Sequence, residues 1–140
     1  MRFPMIMIML TNLVITLFLT STLFAGDVVL TLHKSDGTTE QYTTEDDTLQ
    51  LDLASRDITR IEGIEQLSAI IVLDLSNNSI TSMAWIQNLP DLEVLDLSEN
   101  NIRRLDRMEN CNSVTFMDVG TNRITNFDNL NEFPSLGTII

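Results

Sequence analysis

A pattern of apolar residues and asparagines recurs every 22 residues along this chain, and it constrains the fold more than any other feature. The first column of the pattern holds Leu51, Leu73 and Leu95, and the second holds Leu53, Leu75, Leu97 and Val119. Two later columns hold Asn78, Asn100 and Asn122, and Ile58, Ile80, Ile102 and Ile124. Another apolar column holds Ile61, Met83, Leu105 and Phe127. A fixed period of this length is typical of a solenoid, in which each repeat packs only against its neighbours.

The copies of this pattern resemble the leucine-rich repeat family over roughly residues 49–140. The copies LDLSNNSI from Leu73 and LDLSENNI from Leu95 follow the family core L-x-L-x-x-N-x-I closely, and the copy from Met117 is degenerate. The first copy carries Arg56 where the asparagine is expected. The repeat length resembles the class shared by bacterial internalins and eukaryotic phosphatase-regulator repeat proteins. This resemblance implies a binding function, but it names no ligand.

Within each copy, alternation of apolar and polar residues predicts a short strand that is buried on one side. Leu73 would point into the core, and Asp74 would point to the concave face. The asparagine after each strand would bind backbone groups left unpaired by the turn, which predicts a ladder of Asn78, Asn100 and Asn122. Apolar residues at every third position of the other half favour 3₁₀ turns. We therefore predict an α/β-type solenoid, a short right-handed coil with a parallel β-sheet on its concave face and a 3₁₀ or irregular convex side.

Residues 1–25 differ from the rest of the chain and are typical of a secretory signal peptide. Arg2 precedes an almost wholly apolar run from Phe3 to Ala25, and the predicted cleavage follows Ala25. The alternative is an uncleaved signal anchor, because the run is nearly long enough to span a bilayer. The first interpretation predicts a secreted, periplasmic or cell-surface protein, and the second predicts a membrane-anchored one.

Residues 26–48 are predicted to form a β-hairpin that caps the first coil. Alternation over residues 28–33 predicts one strand, the tripeptide SDG at 35–37 predicts a turn, and residues 38–43 predict the returning strand. A cap is expected because an uncovered solenoid end exposes both the core and a strand edge. The repeats, four and a truncated fifth, would then occupy residues 49–140.

The chain is strongly acidic, which limits its partners. All 20 acidic residues lie after residue 25, against seven Lys and Arg there, so this part carries a net charge of about −13. Such a charge is repelled by nucleic acids and by anionic membrane surfaces, so neither is predicted as a partner. Basic proteins and cations stay open as ligands, and so does the simpler interpretation that the charge serves solubility. The single cysteine, Cys111, lies in an apolar column and is predicted to be buried.

No group of residues predicts catalysis, and we assign no catalytic, cofactor-binding or metal-binding residue. His33 is the only histidine, so no carboxylate, serine or cysteine gains the histidines that a catalytic or metal site would need. None of the five glycines belongs to a phosphate-binding loop, and neither G-x-S-x-G nor C-x-x-C occurs. The sequence therefore predicts a non-catalytic protein without a cofactor.

The predicted concave face holds the candidate protein-binding site. An apolar stripe runs there beside a row of carboxylates, and together they comprise Val72, Asp74, Val94, Asp96, Phe116 and Asp118. An apolar stripe flanked by charge is typical of a binding surface with anchors and a polar rim, and Phe116 is the strongest anchor candidate. Neighbouring strands lie roughly 4.8 Å apart, so the row, which Asp52 extends, is a ladder of like charge that a basic ligand would relieve. The alternative is that the apolar side chains only cover one another along the sheet.

The fifth copy begins at Leu136, and the chain ends at Ile140 within a predicted strand. An uncovered edge strand tends to pair with another chain, which predicts self-association through the C-terminal edge. A fragment of a longer repeat protein is the alternative. The function predicted overall is a non-catalytic exported leucine-rich repeat protein that binds another protein through its concave face. The alternative function is a membrane-anchored structural or assembly piece.

Overall fold

The structure is a computed structural model that describes residues 26–140. The predicted signal peptide, and the membrane anchor that is its alternative, lie outside the described residues. Among the described residues, no helix is both long and apolar enough to cross a membrane. The elements are β1 (Asp27–Lys34), β2 (Thr39–Glu45), β3 (Gln50–Asp52), β4 (Ile58–Glu62), a 3₁₀ turn (Ile64–Gln66), β5 (Val72–Asp74), β6 (Val94–Asp96), β7 (Phe116–Asp118), a second 3₁₀ turn (Asp128–Glu132) and β8 (Thr138–Ile139).

A five-stranded parallel sheet, in the order β3-β5-β6-β7-β8, forms the concave face of the coil. Each strand is displaced by 22 residues from its neighbour, since Leu73 pairs with Leu95 and Leu95 pairs with Met117. The strands are short because the chain must turn after each one to complete the coil. The solenoid predicted from the periodicity is confirmed.

One hydrophobic cluster fills the coil from the hairpin to Phe133. Leu73, Leu95, Ile80 and Ile102 are all 0% exposed, so two columns of each interior coil are withdrawn from water. Burial of one such side chain contributes about 1.5–3 kcal/mol to the free energy of unfolding. The same columns therefore shape each coil and attach it to the next.

Strands β1 and β2 form the antiparallel hairpin expected at the N-terminal end. Its turn is closed by Asp36, whose Oδ1 accepts a hydrogen bond from the backbone N–H of Thr38 at 2.9 Å. Leu30 and Leu32 on its inner side are 0% exposed. The hairpin thus covers the apolar end of the first coil.

The convex segment of the first coil differs from those of the later coils. Instead of a 3₁₀ turn alone, it contains β4, which pairs antiparallel with β1 and places Ile61 opposite Leu32. Strand β1 has an outer edge of backbone donors and acceptors, and pairing with β4 satisfies them. Elsewhere among the described residues, the convex side consists of irregular chain and the 3₁₀ turn at Asp128–Glu132, as predicted.

The fourth coil is less covered than the others. Its Phe127 belongs to the same column as Ile61, Met83 and Leu105, which are at most 2% exposed, but Phe127 is 47% exposed. Its place in the column does not by itself bury Phe127, because this column is buried only where another coil packs against it. Ile140 is 63% exposed at the same end.

Candidate protein-binding face

The strands place the two predicted rows side by side on the concave face. Val72 pairs with Val94, and Val94 pairs with Phe116, so the apolar stripe crosses three neighbouring strands in register. The aspartates two residues further on follow the same register. The six side chains are all half-buried: Val72, Val94 and Phe116 in the stripe, and Asp74, Asp96 and Asp118 in the row. The structure therefore brings all six predicted residues onto one surface.

Each aspartate of the row closes the turn after its strand with one carboxylate oxygen. Oδ1 of Asp74 accepts hydrogen bonds from the backbone N–H of Ser76 at 2.9 Å and from its hydroxyl at 2.7 Å. Asp96 makes the same two bonds with Ser98. The aspartates of the first and fourth strands accept the corresponding backbone bond. Within residues 26–140 no hydrogen bond reaches the Oδ2 atoms of the row, so each aspartate keeps one oxygen free.

This role in the turn was missed in the sequence, where the aspartates were considered only as charges. The signal that could have found it is the spacing, because an Asp side chain commonly accepts a hydrogen bond from the backbone two residues later. One oxygen of each aspartate therefore stabilises the turn, and the other oxygen of the same side chain presents charge.

The apolar surface extends beyond the predicted stripe. Leu49, just before β3, is 53% exposed. Ile71 is half-buried, and its backbone N–H donates to the carbonyl of Leu49 at 2.8 Å. Glu93 follows in the same column and is exposed. No Lys, Arg or His occupies the columns of the concave strands among the described residues, so this face is apolar and acidic without a basic side chain.

The asparagine ladder lies beneath the turns that follow the strands. Asn78 and Asn100 are 8% and 6% exposed. Nδ2 of Asn100 donates to the carbonyl of Leu75 at 2.9 Å, and Oδ1 accepts from the N–H of Ile80 at 2.9 Å. Asn78 makes the corresponding bonds, and Asn122 also makes them while half-buried. Each asparagine therefore ties its own coil to the preceding one.

Arg56 occupies the ladder position in the first coil and has a different role. Its backbone N–H donates to Oδ1 of Asn78 at 3.1 Å, so the ladder of the next coil still serves it. Its side chain turns to the hairpin, where Nη1 lies 3.2 Å from Oε1 of Glu40. Its guanidinium carbon lies 5.2 Å from the centroid of the Tyr42 ring. The departure from the repeat pattern thus marks the point where the coil joins its cap.

Asp57 makes a second connection between cap and coil, which the sequence did not predict. Its Oδ2 accepts a hydrogen bond from the Ser35 hydroxyl at 2.5 Å, and its Oδ1 accepts one from the Ser79 hydroxyl at 2.7 Å. These two bonds, that from Ser35 first, lower the pKa of Asp57 below its ordinary value. One carboxylate therefore joins the hairpin turn, the first coil and the second coil.

The convex side carries a buried carboxylate with complete partners. Asp106 is 9% exposed, and its Oδ2 accepts from the Ser82 hydroxyl at 2.6 Å. Its Oδ1 accepts from Nε of Arg104 at 2.7 Å. This arrangement joins the second and third coils, because each oxygen of the buried carboxylate has its own donor.

Chemically reactive groups are scattered over the described residues. His33 Nε2 lies 3.2 Å from Oε1 of Glu62 on the hairpin sheet. Burial raises the pKa of the Cys111 thiol, which favours the uncharged form. Among residues 26–140, no three His, Cys, Asp or Glu side chains converge as metal ligands.

Two comparisons with known proteins agree with this geometry. Residues 72–124 match the family model described as "Leucine rich repeat". The fold is similar to the crystal structure of an internalin (inlF) from Listeria monocytogenes str. 4b F2365, with a TM-score of 0.61 and 20% sequence identity. The match covers 70% of this chain and 30% of the internalin chain. No relative with a curated description matches the chain.

Proposed function

We propose that this chain, whose residues 72–124 match the leucine-rich repeat model, binds another protein through its concave face. We further propose that it is exported and non-catalytic. Solenoids present long concave surfaces in which every strand contributes side chains to one continuous sheet. Here the main part of that surface is formed by the outward-facing side chains of β5, β6 and β7.

The observation that carries the proposal is the half-buried apolar stripe of Val72, Val94 and Phe116. These side chains stand on the outer side of a sheet whose inner side is already filled by core leucines. Together with Leu49, which is 53% exposed, they leave an apolar surface open to solvent. A contiguous surface of this kind, with charged residues at its margin, is typical of protein interfaces.

Export is proposed from residues 1–25, whose pattern is typical of a signal peptide. The alternative is that residues 3–25 anchor the protein in a membrane. The mass and N-terminal sequence of the protein isolated from its native cells distinguish the two. A new N-terminus near residue 26 supports export of a cleaved protein, and an intact N-terminus in the membrane fraction supports the anchor.

The concave-face proposal can be tested with a photo-crosslinking amino acid at Thr115, an exposed position beside Phe116. Crosslinking in native cells should trap a protein, and the trapped species should be lost when Phe116 and Val94 are both changed to Ala. The matched control is the double change of Thr81 and Glu109 to Ala, at exposed convex positions. A trapped species that persists in the concave variant and disappears in the convex one would place the interface elsewhere.

A second candidate function, self-association, is favoured by the exposed apolar end of the fourth coil. Phe127 and Ile140 are 47% and 63% exposed, and they line a cavity of about 340 Å³ with Ile124 and Ile139. In earlier coils, the isoleucine in the Ile124 column donates its N–H to an asparagine of the next coil. Sedimentation velocity over a wide concentration range tests this candidate. A molecular mass that rises with concentration and falls again in Phe127→Ser supports it, and a constant monomer mass rejects it.

A further inference from the structure

The electrostatics of the concave face point to the chemistry of its partner. We infer that the partner presents a basic segment, in which Lys or Arg side chains flank an apolar one. This inference rests on the proposed function and specifies the ligand class of the same face. It is carried by three features of the structure: unneutralised charge, free carboxylate oxygens and an adjacent apolar anchor.

The aspartate row is a ladder of like charge without internal counter-ions. Its carboxylates come from positions in register, as Asp52 pairs with Asp74 and Asp74 pairs with Asp96. Among the described residues, no ion pair involves an aspartate of the row. The pairs of Lys34, Arg56 and Arg60, like the contact of His33 with Glu62, lie on the hairpin side, and those of Arg104 and Arg107 lie on the convex side. Arg103 and Arg123, the other arginines of residues 26–140, are outside the concave columns. The fold thus leaves the repulsion within the ladder for a ligand to relieve.

The ladder also retains the atoms that would bind such a ligand. One oxygen of each carboxylate is occupied in its turn, as described for Asp74 and Asp96, and the other has no hydrogen bond within residues 26–140. A charged N–H donor forms short, strong hydrogen bonds with a carboxylate oxygen. Binding would therefore use the second oxygen and leave the turn intact.

The dimensions suit an extended basic segment. Four carboxylates on neighbouring strands span about 14 Å, given roughly 4.8 Å between strands. In an extended chain, side chains at positions i, i+2 and i+4 share one face and span about 13–14 Å. Three basic residues at alternate positions can therefore reach the whole ladder from Asp52 to Asp118.

The apolar stripe makes a peptide a better match than a simple cation. Phe116 and Val94 stand two residues before Asp118 and Asp96, respectively, on the same side of the sheet. An apolar side chain beside the basic row would cover them as its charges meet the carboxylates. A free metal ion would gain nothing from the stripe, and a straight row surrounds it poorly, since calcium takes six to eight oxygens.

The test uses the protein as purified from its native cells and three fluorescein-labelled extended peptides of about 13 residues, designed on the spacing given above. The first has lysines at alternate positions and one flanking leucine, the second replaces that leucine with glycine, and the third replaces the lysines with glutamates. Fluorescence anisotropy should detect binding of the first peptide, weaker binding of the second and none of the third. Raising the salt from about 50 to about 300 mM should weaken the first peptide several-fold, because exposed charges are screened.

The decisive variant changes Asp74, Asp96 and Asp118 together to Asn. Asparagine keeps an Oδ1 acceptor for each turn but removes the charge, so the fold should persist while affinity for the first peptide falls about tenfold or more. The matched control changes Glu65, Asp91 and Glu109 to the corresponding amides, which alters the net charge equally at exposed positions off the face. Equal weakening by both triple variants would overturn the inference, because net charge alone would explain it.

A second variant protects the test against unfolding of the first. Glu93→Lys changes an exposed side chain beside the stripe that makes no side-chain hydrogen bond within the described residues. It should also weaken binding of the first peptide.

The two proposals can fail separately. If the crosslinked native partner depends on Phe116 but ignores the aspartates and the salt, the basic-segment inference fails and the concave-face function stands. If it ignores Phe116 as well, the proposed function itself fails.

Discussion

The first and the fourth coil of this solenoid differ in how far their apolar residues are covered. At the N-terminal end, the column residue Ile61 is 2% exposed, because β4 pairs with the hairpin and the hairpin covers the core. At the C-terminal end, Phe127 in the same column is 47% exposed. Side chains of one column and similar apolar character thus differ in burial only through what lies next to them. In a repeat fold, a residue's contribution to stability depends on its neighbouring coils as much as on its own type.

The largest expected effect on stability comes from replacing residues of this column by alanine at each end of the solenoid. Ile61→Ala removes a buried side chain and should lower the free energy of unfolding by about 2–5 kcal/mol. Phe127→Ala deletes more atoms but should cost less than Ile61→Ala, because half of that side chain is already in water. Urea denaturation followed by circular dichroism measures both. Equal losses would mean that the C-terminal end is covered in solution, for example by a second copy.

Binding should be unequal along the concave stripe. Phe116→Ala should weaken partner binding by about 2 kcal/mol or more, as expected for an aromatic anchor. Val72→Ala, at the N-terminal side of the same column, deletes a smaller side chain and should cost less. Titration calorimetry with the crosslinked partner, once purified, measures both affinities. If Val72→Ala costs as much as Phe116→Ala, the stripe binds as a uniform surface without an anchor.

The asparagine ladder offers a matched pair of smaller effects. Asn100→Leu removes the acceptor for the Ile80 N–H and should cost about 1–3 kcal/mol, because buried backbone groups lose their partners. Asn122→Leu should cost less, because Asn122 is half-buried and water can replace part of its hydrogen bonding. Thermal unfolding of the two variants gives the comparison. Unchanged stability of Asn100→Leu would contradict the register of the coil.

The smallest effect concerns the carboxylate that joins the cap to the coil. Hydrogen bonds from Ser35 and Ser79 hold the pKa of Asp57 below its ordinary value. A lowered folded-state pKa means that this stabilisation is present above the unfolded value, near 3.9, and is lost as the pH falls through the folded value. The Ser35 backbone N–H, which donates to the Asp57 carbonyl at 3.2 Å, should therefore lose protection from hydrogen exchange in acid.

Asp57→Ala should abolish this acid dependence and leave Ser35 weakly protected at every pH. Asp91→Ala, an exposed change on the convex side, is the control and should behave as the parent protein. Protection factors from two-dimensional NMR at several pH values between about 2 and 6 measure the effect. Acid sensitivity that persists in Asp57→Ala would assign it to another carboxylate, such as Asp36 in the hairpin turn.

The sequence alone determined the fold class, the strand register and the arrangement of the candidate face. Leu73, Leu95 and their counterparts repeat at a fixed spacing. The register of a copy that departs from the pattern can therefore be assigned from the other copies. The same spacing places Val94 beside Phe116 and Asp96 beside Asp118, since side chains on one strand alternate between faces. Periodicity converts a local pattern into a tertiary prediction.

Tertiary structure decided what the repeat does not contain. Nothing periodic distinguishes Ile58–Glu62 as a strand, because it becomes one only where the hairpin offers an unpaired edge. The exposure of Phe127 likewise depends on the coil beyond it, and the roles of Arg56 and Asp57 depend on hairpin residues outside the repeat. Hydrogen bonds and burial at these places are set by residues distant in sequence. The repeat pattern does not indicate which distant residue will form each contact.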